Sequence, residues 1–301
     1  MKFSLWPSNG RSWDETLELA QWAERSGLDG FWYADHLMPF RIGGVADPGD
    51  AHECWTILTA VGALVPRVRL VSMVSPVTIH HPVVLAKRAV TADHVSGGRA
   101  VLGLGAGWQE NEHVAYGFDL PAPRQRVDRF AEAIEVVQRL LRAEPGESVR
   151  FAGSTFPLAE APLAPRPVGD RLPVLVGTGS PRMLRLTARW ADEWNTWGDP
   201  DQVRVRTEAF LAACDREGRD PSTLRRSVQA LIFLDGGPPG EQPVAGRSLV
   251  GTSGALVELL QRYADQGVDE FAIPDFNLGS SHAERMDVLE RLRTEVLPHV
   301  R

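Results

Sequence analysis

What most constrains this chain is a repeated form: a short apolar run followed by an amphipathic helical pattern, eight times between residues 2 and 297. KFSLW (2–6) predicts a strand, and DETLELAQWAERSG predicts a helix capped by Ser12 or Asp14 and stopped at Gly27. Further strands are expected at 29–36, 68–77, 99–107, 173–179, 192–198, 225–235 and 268–276. Helical patterns fall at 53–65, 82–98, 124–142, 180–191, 200–217, 253–267 and 281–297. Short, apolar strands of this kind suit a parallel sheet buried on both faces. Eight units with no break in composition predict an α/β fold, a (β/α)8 TIM barrel, better than a six-stranded doubly wound sheet. Residues 144–172, rich in Pro and Gly, interrupt the alternation and read as a segment inserted over one face of a single domain spanning 1–301. In such a barrel the chemistry sits just after the strands. The positions to question are therefore Asp35, His36, Ser75, the run 105–111, Gly177 to Ser180, Asn195 to Trp197, and Asp275.

Charge narrows the partners. A formal net charge of −7 with no basic block argues against a nucleic acid or an anionic membrane. No apolar leader opens MKFSLWPSNG, and no run approaches the length of a membrane span, so a cytoplasmic protein is expected. Cys54 and Cys214 lie far apart in helical patterns and read as reduced, packed thiols. Lys2 and Lys87 are the only lysines, and with the abundant Ala, Gly and Pro this suggests a GC-rich bacterial genome.

VLGLGAGWQENEHVAYG (101–117) is the stretch that bears most on function. Its glycines fit a dinucleotide fingerprint poorly: the third glycine is missing, and the acid twenty residues on, Asp128, lies inside a predicted helix. GTGSPR (177–182) has the same defect, with Asn195 at the required distance. Glycines at barrel strand ends instead let main-chain N–H groups approach a planar ring or a phosphate. The loop 177–180 also runs straight into a helix whose N-terminus favours an anion. Tight turns remain the plain alternative for either loop. A metal site would need Asp35, His36, His80, His81, Glu110, Glu112 or His113 at one mouth, but no His-x-His ends the first strand and the donor set is thin. Glu110 and Glu112 read as a solvated loop face, and Arg124, Arg126 and Arg129 as a solvated helix face.

Taken together, three stretches resemble the luciferase-like monooxygenase superfamily, and within it the F420-dependent oxidoreductase branch. They are AQWAERSGLDGFWYADH, the segment from VSMVSPVTIHHPVVLAKRAVTADHVSGGRAV to GLGAGWQENEHVAYGFDLP, and PVLVGTGSPRMLRLTARWADEWN. The resemblance implies a TIM barrel holding coenzyme F420, or alternatively FMN, across its C-terminal mouth, an oxidoreductase acting on a small molecule, and a homodimer. It implies that Asp35 and His36 contact the ring edge and that Met73, Val74 and Ser75 back the ring, with a non-prolyl cis peptide expected at Met73-Val74. Ala106, Gly107 and Asn111 would line its pyrimidine side. Gly177, Thr178, Gly179 and Ser180 would hold the phosphate, flanked by Trp194, Asn195 and Thr196.

His is the natural proton donor or acceptor near neutral pH, and Asp35 beside His36 could fix its tautomer, so these two are the catalytic candidates. Phe40 and Trp108 are the candidate substrate contacts. Two departures stand out. Relatives acting on glucose 6-phosphate carry Glu where this chain has Trp108, which argues against that activity, and the position often held by Arg before His-Pro is His80. A non-catalytic F420 or flavin carrier is the alternative of another class, and a monooxygenase using FMN the alternative within the family.

Overall fold

A computed structural model of the chain describes residues 1–40 and 45–300; positions 41–44 and 301, inside the span read as one domain, lie outside the described residues. The first units follow the sequence pattern closely. Strand β1 (Lys2–Trp6) is followed by helix α1 (Trp13–Arg25), whose N-cap Ser12 accepts a hydrogen bond from the Glu15 amide. Strand β2 (Gly30–Tyr33) leads to α2 (Cys54–Leu64), and β3 (Arg69–Ser72) to the two-residue β4 (Ser75–Pro76) and α3 (Pro82–Ser96). The Met73-Val74 peptide between β3 and β4 is cis, as expected. Next come β5 (Ala100–Gly105), the short α4 (Glu110–Tyr116) and the long α5 (Pro123–Arg142).

The insertion is not structureless. It carries an antiparallel hairpin, β6 (Ser148–Phe151) with β7 (Leu158–Pro162). The alternation then resumes with β8 (Val174–Gly177), α6 (Pro181–Trp190), β9 (Glu193–Trp197) and α7 (Pro200–Glu217). The apolar run expected as one strand at 225–235 is two: β10 (Arg225–Gln229) stays in the barrel. Beyond Ala230, β11 (Leu231–Leu234) leaves the barrel to pair with β12 (Ser248–Gly251). Helix α8 (Ser253–Asp265), β13 (Glu270–Pro274) and α9 (His282–Arg291) follow, and α9 runs on into a π-helical turn (Leu292–Val296) and a 3-10 turn (Leu297–His299).

Round the ring the strands run β1-β2-β3-β5-β8-β9-β10-β13 and back to β1, all parallel, with β4 continuing β3 past the cis peptide. Closure comes from the pairs Leu70–Ala100 and Val71–Val101. Alternate residues face opposite ways. Phe3, Leu5, Phe31, Tyr33, Phe271 and Ile273 pack outward under the helices, while Trp6, Trp32, Val71, Val101, Leu175 and Ala272 fill the bore. At the N-terminal end the bore is ionic: Arg69 pairs with Glu193 and, at 2.8 Å, with Glu270, which also takes Arg225 at 2.9 Å. That end is plugged. The opposite end is open.

Candidate active site

The C-terminal strand ends surround a cavity of about 850 Å³. Of the residues expected there, His36, Phe40, Met73, Val74, Ala106, Gly107, Trp108, Gly177, Thr178, Gly179, Ser180, Asn195 and Thr196 line it. Asp35, Ser75, Asn111 and Trp194 are buried behind the wall. The predicted candidates thus divide into a lining set and a supporting set.

His36 and Asp35 follow β2 and part company. Asp35, 2% exposed, receives the Ser75 hydroxyl at 2.5 Å and His80 Nε2 at 3.2 Å. Arg88 lies 3.1 Å from His80 Nδ1 and can only donate, so Nδ1 accepts and Nε2–H points to Asp35. Burial alone would raise the Asp35 carboxyl, but the hydrogen bonds from His80 and the Ser75 hydroxyl hold it below its ordinary value. Asp35 therefore braces β4 and the segment leading into α3, and no hydrogen bond joins it to His36.

The carboxylate that meets His36 is Glu112. Its Oε1 lies 2.9 Å from His36 Nδ1, and its Oε2 accepts the Leu37 amide at 2.8 Å. Glu112 is fully buried, so the solvated loop face expected for it is corrected; Glu110 alone is exposed. The face of α4 explains the difference, because the helix turns Asn111, Glu112 and His113 inward and leaves Glu110 outside. His113 secures that turn, its Nε2 lying 2.8 Å from Thr78 Oγ1. Among the described residues His36 Nε2 has no partner, and its ring meets Trp108 edge-on at 5.5 Å, with Phe40 beyond.

The glycines of β5 serve a purpose that spacing alone did not reveal. A Cβ on Gly103 would lie 1.9 Å from the Ser72 carbonyl oxygen, and one on Gly105 would lie 2.6 Å from Val74 Cγ2. Gly107, at φ +85°, would put its Cβ 2.1 Å from Thr78 Oγ1. These three glycines admit the 72–78 segment, which bulges over them. The loop after β8 is different: a Cβ on Gly179 would meet nothing within 4 Å. Trp194 holds this loop from behind, donating to the Thr178 carbonyl at 2.9 Å and stacking on Phe210. Asn195 is tied up with Gln229 and Ser227.

Among the arginines, sequence reading misplaced Arg126 and Arg129 and gave no sign of Arg206 or Arg247. Arg126 lines the cavity and donates to the Gly107 carbonyl at 2.7 Å. Arg129 reaches the Val77 carbonyl at 2.8 Å, so neither lies on the solvated face expected of them, while Arg124 is exposed. Arg206 and Arg247 also line the cavity, and among the described residues none of Arg126, Arg206 and Arg247 pairs with a carboxylate. No group of three or more His, Cys, Asp or Glu side chains is arranged to hold a metal among the described residues, and no helix among them is long and apolar enough to cross a membrane.

Comparison with known proteins agrees with this architecture. The model of the luciferase-like monooxygenase family matches residues 1–238. An F420-dependent glucose-6-phosphate dehydrogenase of Nakamurella multipartita is 35% identical over 225 residues, 73% of this chain and 64% of that protein. An F420-dependent hydroxymycolic acid dehydrogenase of Mycobacterium tuberculosis is 29% identical over 236 residues, 78% of this chain and 62% of that protein. The match thus spans less than two thirds of the length of these curated relatives. In fold the chain is similar to an F420-dependent secondary alcohol dehydrogenase solved with an F420-acetone adduct, at TM-score 0.84 and 20% identity, covering 100% of this chain and 99% of that one. The chain belongs to the luciferase-like monooxygenase family.

Proposed function

We propose that this protein is an F420-dependent oxidoreductase that moves a hydride to or from a small organic substrate, with His36 as the proton-handling residue. One observation carries the reading: His36 stands in the wall of the mouth with Nδ1 fixed on buried Glu112 and Nε2 without a partner among the described residues.

The residues suit a flat ring with an anionic arm. The Met73-Val74 bulge and Ala106-Gly107 offer a compact apolar backing. The 177–180 loop presents open backbone where α6 begins, and its N-cap Ser180 makes no side-chain capping bond. Arg126, which lines the same cavity, has a buried Nε with no partner among the described residues. When bound, a deazaflavin supplies or accepts a hydride at its C5 carbon.

The chain does the rest. Gly177, Thr178, Gly179 and Ser180 anchor the phosphate, with Trp194, Asn195 and Thr196 holding that loop in shape. Met73, Val74, Ala106 and Gly107 position the ring, with Ser75, Asp35 and Asn111 bracing them from behind. Glu112 accepts the hydrogen bond of His36 Nδ1–H, leaving Nε2 to give or receive a proton at the substrate oxygen. Trp108 and Phe40 cover the His36 side and exclude water.

In the same proposal the chain works as one barrel unit over 1–301, in the cytoplasm, as a homodimer; light scattering reads the assembly. The activity test mixes the full chain with F420 or with FMN, then follows the visible absorbance as alcohols are added, or as reduced F420 meets ketones, enones and quinones. Turnover in either direction supports the proposal. Tight F420 binding with no redox change across both panels replaces it with the carrier reading, and FMN binding with oxygen uptake replaces it with the monooxygenase.

A further inference from the structure

The mouth has two chemically distinct halves. The strands β3, β5 and β8, contiguous in the ring, carry the bulge, Ala106-Gly107 and the glycine loop. The opposite arc, β9, β10, β13 and β1, carries aromatic rings and arginines. Trp6 at the end of β1 packs against Trp197 at the end of β9, at 5.5 Å, and against Phe276 just after β13, at 5.0 Å. His36, after β2, stands at one seam between the two arcs.

From this division we propose that the second arc is the substrate site, built for a planar apolar molecule carrying a carboxylate or phosphate, with Trp6, Trp197 and Phe276 as its floor and Arg206 and Arg247 as its anion clamp. The proposal rests on the cofactor taking the first arc, as in the reading above.

Arg206 is bonded in place, and Arg247 stands on a pinned backbone segment. Arg206 donates to the Trp197 carbonyl and, at 3.1 Å, to Thr196 Oγ1, which sets its guanidinium against the aromatic floor. The segment bearing Arg247 is pinned twice: Asp199 N–H donates to the Gly246 carbonyl and Leu231 N–H to the Arg247 carbonyl, each at 2.9 Å. Among the described residues the Arg247 side chain has no hydrogen-bond or ion-pair partner, so it is held over the mouth with its charge unspent. Burial and then the like charge of Arg247 lower the pKa of Arg206, and an anion placed between them would relieve that repulsion.

Nearby carboxylates do not fill this role. Asp275 is fully buried and taken by Arg11, at 2.9 Å, and by the Ser8 amide; Glu112 is taken by His36. Asp50 lines the rim next to Gly10, and its side chain pairs with neither arginine. Two guanidiniums without carboxylates, in a chain of net charge −7, mark a local anion site. Trp6 Nε1, buried and without a partner among the described residues, adds a donor at the floor. The cavity volume of about 850 Å³ lies toward the upper end of the usual range for small-molecule sites, which leaves room for a second ligand beside a cofactor.

The test uses the full chain and two probes of equal shape, 2-naphthoate and the uncharged 2-naphthamide, titrated by calorimetry with and without saturating F420. Naphthoate should bind at least about tenfold tighter than the amide, and it should still bind with F420 present. The double variant R206M/R247M should lose that preference and keep its F420 affinity, while R247K retains part of it and Trp197→Ala weakens both probes. Equal affinity for the probes, binding of neither, or displacement of naphthoate by F420 would overturn the proposal. So would loss of F420 affinity in the double variant with naphthoate unaffected, since the clamp would then serve the cofactor's own acidic arm. A chain that binds naphthoate as expected but never binds F420 leaves this site standing and removes the reading of the first arc.

Discussion

Glu112 and His36 set the smallest scale of the account. Glu112 is fully buried, and its two oxygens serve His36 Nδ1 and the Leu37 amide, so it orients the imidazole and the backbone that carries it. His36→Ala should lower turnover by about 10²–10⁴-fold while F420 affinity stays close to wild type. Glu112→Gln, which keeps the shape and removes the charge, should lower kcat by about 10- to 100-fold with KM nearly unchanged, as the loss of a hydrogen bond to a charged group implies. Glu112→Asp should recover part of the loss. Single-turnover kinetics separates these effects from binding, and a kcat unchanged in both Glu112→Gln and His36→Ala would remove the pair from the chemistry.

The sequence showed His36 at a strand end but paired it with its neighbour Asp35. Adjacent residues leave a strand end in opposite directions, so the true partner came from 76 positions away. Only one cue existed: a helix starting directly after the glycine loop must turn part of its first turn toward the mouth.

Among the elements, the contact between β5 and the bulge is the most tightly constrained. Gly103→Ala would drive a Cβ to 1.9 Å from the Ser72 carbonyl, a backbone atom that cannot rotate away. The variant should lose stability at or above the upper end of the usual overpacking cost of about 1–3 kcal/mol, and F420 affinity should fall with it; chemical denaturation reads the first and calorimetry the second. A stable variant with unaltered affinity would contradict the packing role.

The ionic plug at the other end of the barrel gives a pH prediction. Burial would raise the Glu270 carboxyl, yet Arg69 and Arg225, with Ser4, hold it below its ordinary 4.5. Glu193 beside it is raised, because burial outweighs the pull of Arg69. A carboxylate with a lowered folded pKa stabilises the protein above its unfolded value, and that contribution disappears as the pH falls through the lowered one. Arg69→Met should therefore cost roughly 3–5 kcal/mol at neutral pH and move acid unfolding to higher pH. Urea titrations at several pH values check both, and an unchanged acid limb would contradict the pairing.

Element by element, legibility followed burial. Most barrel strands were visible because apolar residues dominate them, as in GFWY, AVLGLG and VLVG. The β6–β7 hairpin was not, since most of β7 is exposed or half-buried and shows no apolar alternation. The break at Ala230 was hidden because no Gly or Pro interrupts RRSVQALIFL, so the polar β10 and the apolar β11 read as one continuous run.

At the scale of the whole molecule, eight repeats of strand and helix sufficed to specify the ring, because parallel strands joined by helices bury both faces only in a few closed or layered arrangements. What periodicity could not reveal is how the mouth is shared between its two arcs. That depends on side chains brought together from distant loops, such as Trp6 with Phe276 and Arg206 with Arg247. Resemblance located the first arc residue by residue, whereas the second arc emerged only from the geometry.

A crystal structure of the full chain with bound F420 tests the central claim most directly. The account predicts the deazaflavin ring against Met73, Val74 and Ala106, its phosphate on the 177–180 loop, and its C5 within reach of a substrate bonded to His36 Nε2. A ring lying on Trp6, Trp197 and Phe276, or a phosphate held away from that loop, would contradict it.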